Sequence, residues 1–197
     1  MKSTQFNTEV LVFDDIIFEQ ISYVEKSLAG KEFENCIFRK CDLSKSVLAN
    51  NIFIDCRFEA CNLSMSKLNG SSMQNIKFFD CKILGVDFSQ CKDFLFEVYF
   101  DNSVLDYAVF MGKKMTKTQF IKSSLKEVNF IQADLSTSQF DQTDLSGAVF
   151  NETNLSGVDF RSAYNYSIDP QLNTIKKARF SSDGLAGLLT RYQIIID

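Results

Sequence analysis

From Ala133 to Phe160 the chain reads ADLSTSQFDQTDLSGAVFNETNLSGVDF, and every fifth residue is Leu or Phe: Leu135, Phe140, Leu145, Phe150, Leu155 and Phe160. A helix repeats its apolar face every 3.6 residues and a strand every second residue, so neither period fits. The five-residue register continues backward from Phe160 through Phe130, Leu125, Phe120, Met115, Phe110 and Leu105 to Phe100. A second register runs from Phe13 to Phe88 through Phe33, Phe38, Leu43, Leu48, Phe53, Phe58, Leu63, Leu68, Met73, Phe78 and Ile83. The two are out of phase by two residues. Only Asp93 and Asn165, each at the C-terminal end of its run, break the apolar rule.

The residue two before each centre is small in most repeats, for example Ser103, Ala108, Thr118, Ser123, Ala133, Ser138, Thr143, Ala148 and Thr153. All six cysteines, Cys36, Cys41, Cys56, Cys61, Cys81 and Cys91, fall in this slot. Two agreeing positions in every five, written A(D/N)LXX, make residues 31–165 resemble the pentapeptide-repeat family, less clearly so from Phe13. The resemblance implies an all-β fold, a right-handed quadrilateral parallel β-helix. Four pentapeptides then form one coil, and structure recurs with every fourth pentapeptide. One repeat cannot bury its apolar face alone, so coils must stack. Phe38, Phe58 and Phe78 should form one column, and Leu43, Leu63 and Ile83 the next. Phe110, Phe130 and Phe150 should form another, as should Phe120, Phe140 and Phe160. Such columns account for the 20 Phe in a chain without Trp.

The pattern breaks in three places. The phase slip predicts a bulge or short loop at 92–97 that exposes Phe94, Leu95 or Phe96, either as a kink between two rods or as a binding loop. Residues 1–30 fit the period weakly, with Leu11, Ile16, Ile21 and Lys26 where small residues belong, and read as an N-terminal coil and cap. Residues 166–197 read as a C-terminal cap: Pro170 ends the regular coil, and Ser181, Ser182 or Asp183 caps a short helix. Leu185, Leu188, Leu189 and Tyr192 follow the spacing of an amphipathic helix, and Ile194 and Ile196 belong to a closing strand. This segment looks like the C-terminal dimerisation module of Qnr and MfpA-type pentapeptide proteins; it serves as a lid or as a dimer contact.

Composition narrows the chemistry. The 197 residues fit one domain, and a single Pro and eight Gly leave no linker. No run of about 18 apolar residues and no signal-like N-terminus is evident, so no membrane span is expected and the cytoplasm is the expected compartment. The net charge of −4 does not favour direct binding to nucleic acid. With no His, no Gly-rich phosphate loop and no GxSxG motif, no catalytic residue, cofactor or enzyme activity is expected. The cysteines lack a CxxC pair and read as small buried hydrophobes, with no metal site.

Charge is uneven along the chain. Met111 to Lys126 holds five lysines, Lys113, Lys114, Lys117, Lys122 and Lys126, and no acid. Glu127 to Phe160 holds six acids, Glu127, Asp134, Asp141, Asp144, Glu152 and Asp159, and no base. All six avoid the two inward positions, so they face solvent, as an ordinary solvated face or as an anionic surface that imitates a duplex. The resemblance to the Qnr and MfpA group implies the second: a dimeric DNA mimic that binds DNA gyrase or topoisomerase IV and modulates quinolone action. The alternative is an interaction scaffold with a different protein partner.

Overall fold

The structure, a computed structural model, describes residues 2–3, 5–7 and 9–195. Among them are twelve short strands: β1 (Lys2–Ser3), β2 (Val12–Asp14), β3 (Ile17–Glu19), β4 (Glu32–Glu34), β5 (Ile37–Arg39), β6 (Ile52–Ile54), β7 (Arg57–Glu59), β8 (Ser72–Gln74), β9 (Ile76–Phe79), β10 (Val98–Asp101), β11 (Gln119–Ile121) and β12 (Gln139–Asp141). They form two parallel sheets, ordered β1-β3-β5-β7-β9-β10-β11-β12 and β2-β4-β6-β8. The other two sides pair through single bridges from one coil to the next, such as Ser22 with Asp42 and Val47 with Lys67. The chain is an all-β parallel solenoid, and each pentapeptide is one side of a four-sided coil.

The corners explain the period. The residue two after each centre takes a left-handed backbone: Asn35, Lys40, Lys45 and Asn50 have φ of 51°, 52°, 55° and 57°. One such residue in five turns the chain at each corner. It costs roughly 1–2 kcal/mol for a residue with a Cβ and little for Gly, and Gly112, Gly147 and Gly157 take corners in the later coils.

The centres fill the axis. Phe18, Phe38, Phe58, Phe78, Phe100, Phe120, Phe140, Phe160 and Phe180 form one column, with successive rings 4.5–5.3 Å apart and nearly parallel. Phe88, Phe110, Phe130 and Phe150 form a second, 4.7–5.5 Å apart. The expected columns are all present. Offset aromatic pairs at this distance add about 0.5–1.5 kcal/mol each beyond burial.

The small slot is more than a space-filler. Its side chain donates a hydrogen bond to the carbonyl of a centre in the preceding coil: Cys56 Sγ to Phe33, Cys61 Sγ to Phe38, Ser71 Oγ to Leu48, Thr143 Oγ1 to Phe120 and Thr153 Oγ1 to Phe130. The slot selects small residues; where the occupant is Ser, Thr or Cys it can also donate, Cys weakly, while Ala108, Ala133 and Val128 fill it without a donor. All six thiols are free and buried. Burial pushes the Cys91 thiol up to about 12.

It is the C-terminal end, not the N-terminal one, that differs from the sequence-based expectation. Regular pairing begins at β2, whose Phe13 lies opposite Phe33 of β4, so the weakly patterned N-terminal stretch is a true coil. Among the described residues only the short β1 precedes this coil, paired with β3 at Lys2–Ile17 and Ser3–Phe18, and Phe6 packs across the end, 4.8 Å from Phe18 and 5.1 Å from Tyr23. At the other end the coil does not stop at Pro170: Asn154 bridges Thr174, Asp159 bridges Arg179, and Phe180 continues the long column. Asn165, the failed centre, is replaced in the interior by Tyr166 and Ile168. The expected amphipathic α-helix is two 3-10 turns, Asp183–Leu188 and Thr190–Tyr192. Gly184 and Gly187 press against Tyr166, where an added Cβ would meet its hydroxyl and its carbonyl, so the chain follows that ring instead of coiling freely. Gly184 N–H donates to Ser181 Oγ, and Ser182 makes no capping bond. Gln193–Ile195 is not a strand, and Ile196 lies outside the described residues.

Candidate functional site

The phase slip is confined to one side of one coil. Val98 of β10 lies opposite Ile76 of β9, two positions beyond the regular step, and the regular step resumes between β10 and β11. The two extra residues bulge outward. Asp93, where a centre should stand, has an 81% exposed side chain, and Phe94 and Leu95 are 73% and 59% exposed. Phe96 is not exposed: it turns inward to take the vacant centre, 6.4 Å from Phe88.

The bulge is fastened by a residue the sequence pattern passed over. Lys113 sits in a small slot, and its side chain is 2% exposed. Its ammonium donates to the Cys91 carbonyl and, at 2.6 Å, to Asp93 Oδ1, and lies 5.1 Å from the centre of the Phe96 ring. Elsewhere on this side the backbone N–H before a centre donates to the slot carbonyl one coil back, as Ser72 does to Asn51 and Lys92 to Ser71. Lys114 should do so to Cys91, but among the described residues no backbone hydrogen bond joins 92–97 to 113–118. The lysine side chain satisfies the carbonyl that the broken ladder leaves open.

Beside the bulge lies a groove of about 1030 Å³. Phe94 and Leu95 form one wall, Phe79 and Tyr99 part of the floor, and Lys77, Lys114 and Lys117 its basic rim. The Phe79 and Tyr99 rings are 5.6 Å apart, and Arg57 lies over Phe79 at 4.9 Å.

The six C-terminal acids all lie on the outside, but not on one face. Asp141 and Asp159 share the side of Phe140 and Phe160, Asp134 flanks Leu135, Asp144 flanks Leu145, and Glu127 and Glu152 occupy left-handed corners. Asp159 pairs with Arg161 at 2.6 Å, and Lys126 approaches Asp144 at 3.5 Å. Hydrogen bonding from Arg161 holds the Asp159 carboxyl below its ordinary range. Partial burial works against ionising Asp144, but hydrogen bonds from Ser146 and Asn165 outweigh it and lower its pKa. Three of the other four meet neutral donors: Ser162 at Asp141, Gln132 at Glu152 and Asn154 at Asp134.

At the C-terminus Leu185, Leu189, Tyr192 and Ile194 are exposed, while Leu188 packs against the core. Arg191 bonds Asp169 and Gln171, and Ser167 meets Thr190, so the 3-10 turns are tied to the last coil. Among the described residues, no helix is long and apolar enough to cross a membrane, and no three His, Cys, Asp or Glu side chains gather as a metal site.

The chain resembles solved structures along most of its length. Full-length QnrB1, described as a plasmid-mediated fluoroquinolone resistance protein, aligns over 93% of this chain and 90% of its own, with 22% identity and a TM-score of 0.52. HetL of the cyanobacterium Nostoc, a pentapeptide repeat protein involved in heterocyst differentiation regulation, aligns over 87% and 86%, with 15% identity and a TM-score of 0.60. At these identities the likeness is one of fold. No curated protein sequence matches the chain. The pentapeptide repeat region model matches residues 31–110 and the pentapeptide repeats model, of eight copies, residues 123–161. With its five-residue sides, inward centres and small inward slots, the chain belongs to the pentapeptide-repeat family.

Proposed function

We infer that the protein acts by binding rather than catalysis, and that its acidic C-terminal coils occupy the duplex-binding groove of a type II topoisomerase, DNA gyrase or topoisomerase IV, in place of DNA. The observation that carries this is the charge band from Glu127 to Phe160: six acids, no base, and acids on every side of the rod. The spacing is of the right size. The band spans about 1.7 coils, or roughly 8 Å of axis at a strand spacing of about 4.8 Å. The four acids without a basic partner then give about one charge per 2 Å, against roughly one per 1.7 Å of duplex. The chain shares its fold with QnrB1, a fluoroquinolone resistance protein, in keeping with a target of that drug class; such a partner puts the protein in the cytoplasm. The exposed Leu185, Leu189, Tyr192 and Ile194 suit a homodimer that joins two rods end to end.

The test is supercoiling by purified gyrase, with and without ciprofloxacin, while the protein is titrated. Relief of drug inhibition, or a dose-dependent loss of supercoiling, is the expected result. The triple variant Asp134→Lys, Asp141→Lys, Glu152→Lys should abolish either effect and keep its fold, because these side chains point outward and none holds a base. No effect at a large molar excess, or an undiminished effect of the triple variant, would sink the reading.

A further inference from the structure

The groove beside the bulge is independent of the acidic band. Three of its features point to one kind of occupant. The first is an open backbone edge. On every other step of this side, adjacent coils are joined by ladder bonds, but between 92–97 and 113–118 there are none among the described residues. Lys114 N–H and the Lys114 and Thr116 carbonyls, which regular stacking would engage, are left without a backbone partner there. Unpaired strand edges are templates for another extended chain.

The second is charge. Lys77, Lys114 and Lys117 line the groove, and among the described residues none has a carboxylate within ion-pair distance. Of the two acids on the lining, Asp93 is held by Lys113, which leaves Glu97 against three lysines. The third is an apolar wall: Phe94 and Leu95 are turned to solvent while their neighbour Phe96 is buried. A free surface seldom keeps two large adjacent apolar side chains on a protruding turn without use.

We propose that this groove docks an extended acidic segment of a partner protein. The segment adds its backbone to the edge at Lys114–Thr116, sets carboxylates against Lys77, Lys114 and Lys117, and rests an apolar side chain on Phe94 and Leu95. A peptide fits better than a nucleic-acid strand. Asp93 and Glu97 lie on the lining and Asp134 and Asp141 in the coils just beyond, so a polyanion longer than the groove would be repelled on leaving it.

The test uses the full chain and a fluorescein-labelled octapeptide that alternates Asp with Val. Three other probes accompany it: the same peptide with Lys for Asp, the same peptide N-methylated along its backbone, and an oligo-dT octamer. Saturable binding of the Asp-Val peptide is expected, with new amide protection at 114–116. The Lys and N-methylated peptides should not bind. Lys114→Glu with Lys117→Glu, and separately Leu95→Gly, should weaken binding about tenfold or more; Leu95 has φ 54°, so Gly suits its backbone. Deleting Asp93 and Phe94 together with Lys113→Ala leaves Cys-Lys-Leu-Phe-Glu, a regular side centred on Leu95. This variant closes the ladder and should fold but not bind. Absence of binding by the Asp-Val peptide overturns the proposal. So do protection elsewhere, indifference to the point variants, and tighter binding of oligo-dT. No topoisomerase enters the experiment, so its outcome is separate from that of the gyrase assay.

Discussion

At the scale of single residues, three positions in every five are dictated by the coil: an inward centre, a small inward residue and a left-handed corner. The first two can be read in the sequence because they restrict residue type. The third cannot, since Tyr107, Lys117, Glu127 and Thr137 all stand at corners with φ between 56° and 63°. A corner needs only a tolerable αL residue, and the outward side chain is otherwise free. Thr137 is the least suited, being β-branched at φ 60°. Thr137→Gly should therefore stabilise the protein by about 0.5–1 kcal/mol, the αL strain removed less the greater entropy of the unfolded Gly chain. Urea unfolding checks this, and a lower midpoint with unchanged slope would contradict it.

At the scale of elements, the bulge shows why part of the candidate site escaped the sequence reading. The two-residue slip and the exposure of Phe94 and Leu95 are evident from the register. Phe96 and Lys113 are not, because each abandons the role its type suggests. A Phe beside two exposed apolar residues looks exposed as well, and a Lys looks like surface. The signal was present in the register itself, which puts Lys113 in an inward slot one coil after the slip. There it meets the Cys91 carbonyl, which the broken ladder leaves open. Asp93→Ala should cost about 1–3 kcal/mol, because the buried ammonium then keeps only the Cys91 carbonyl and the Phe96 ring. Amide exchange should quicken in 91–97 before it does in the flanking coils; uniform exchange along the rod would mean that the pair does not fasten the bulge. At the C-terminus the i, i+3, i+4, i+7 spacing was real, yet two glycines laid on Tyr166 select 3-10 turns over an α-helix.

At the scale of the whole molecule, the fold was legible because every coil repeats the same decision. The surface was less so: the recurrence every fourth pentapeptide assigns each outward residue to a side, but not the partner its side chain meets there. The six acids ring the axis instead of lining one face, and two of them carry a positive partner. That arrangement makes stability fall in acid. The Asp144 and Asp159 carboxyls ionise below their ordinary range in the folded rod. In the unfolded chain they take up protons at the ordinary aspartate value. Below that value the unfolded state binds more protons, so their contribution, complete at neutral pH, is lost as the pH drops through the lower folded values. Thermal melts across the acid range should show Tm falling there, and more steeply for the wild type than for Asp159→Asn. A Tm that rises on acidification would reverse this account.

The unbroken Phe column also fixes how the protein can change in size. It passes the slip from Phe78 to Phe100 at 5.1 Å, the same stride as between regular coils, although two more residues lie between them. Extra length is thus hung on one side like a loop on a peg and leaves the axis untouched. The rod behaves as a ruler graduated in whole coils of four pentapeptides. Duplicating one coil would move its two ends apart by a single strand spacing, about 4.8 Å, and keep each side facing the direction it faces now. Homologous rods could therefore be cut to the reach of different partners without redesigning the surface that meets them.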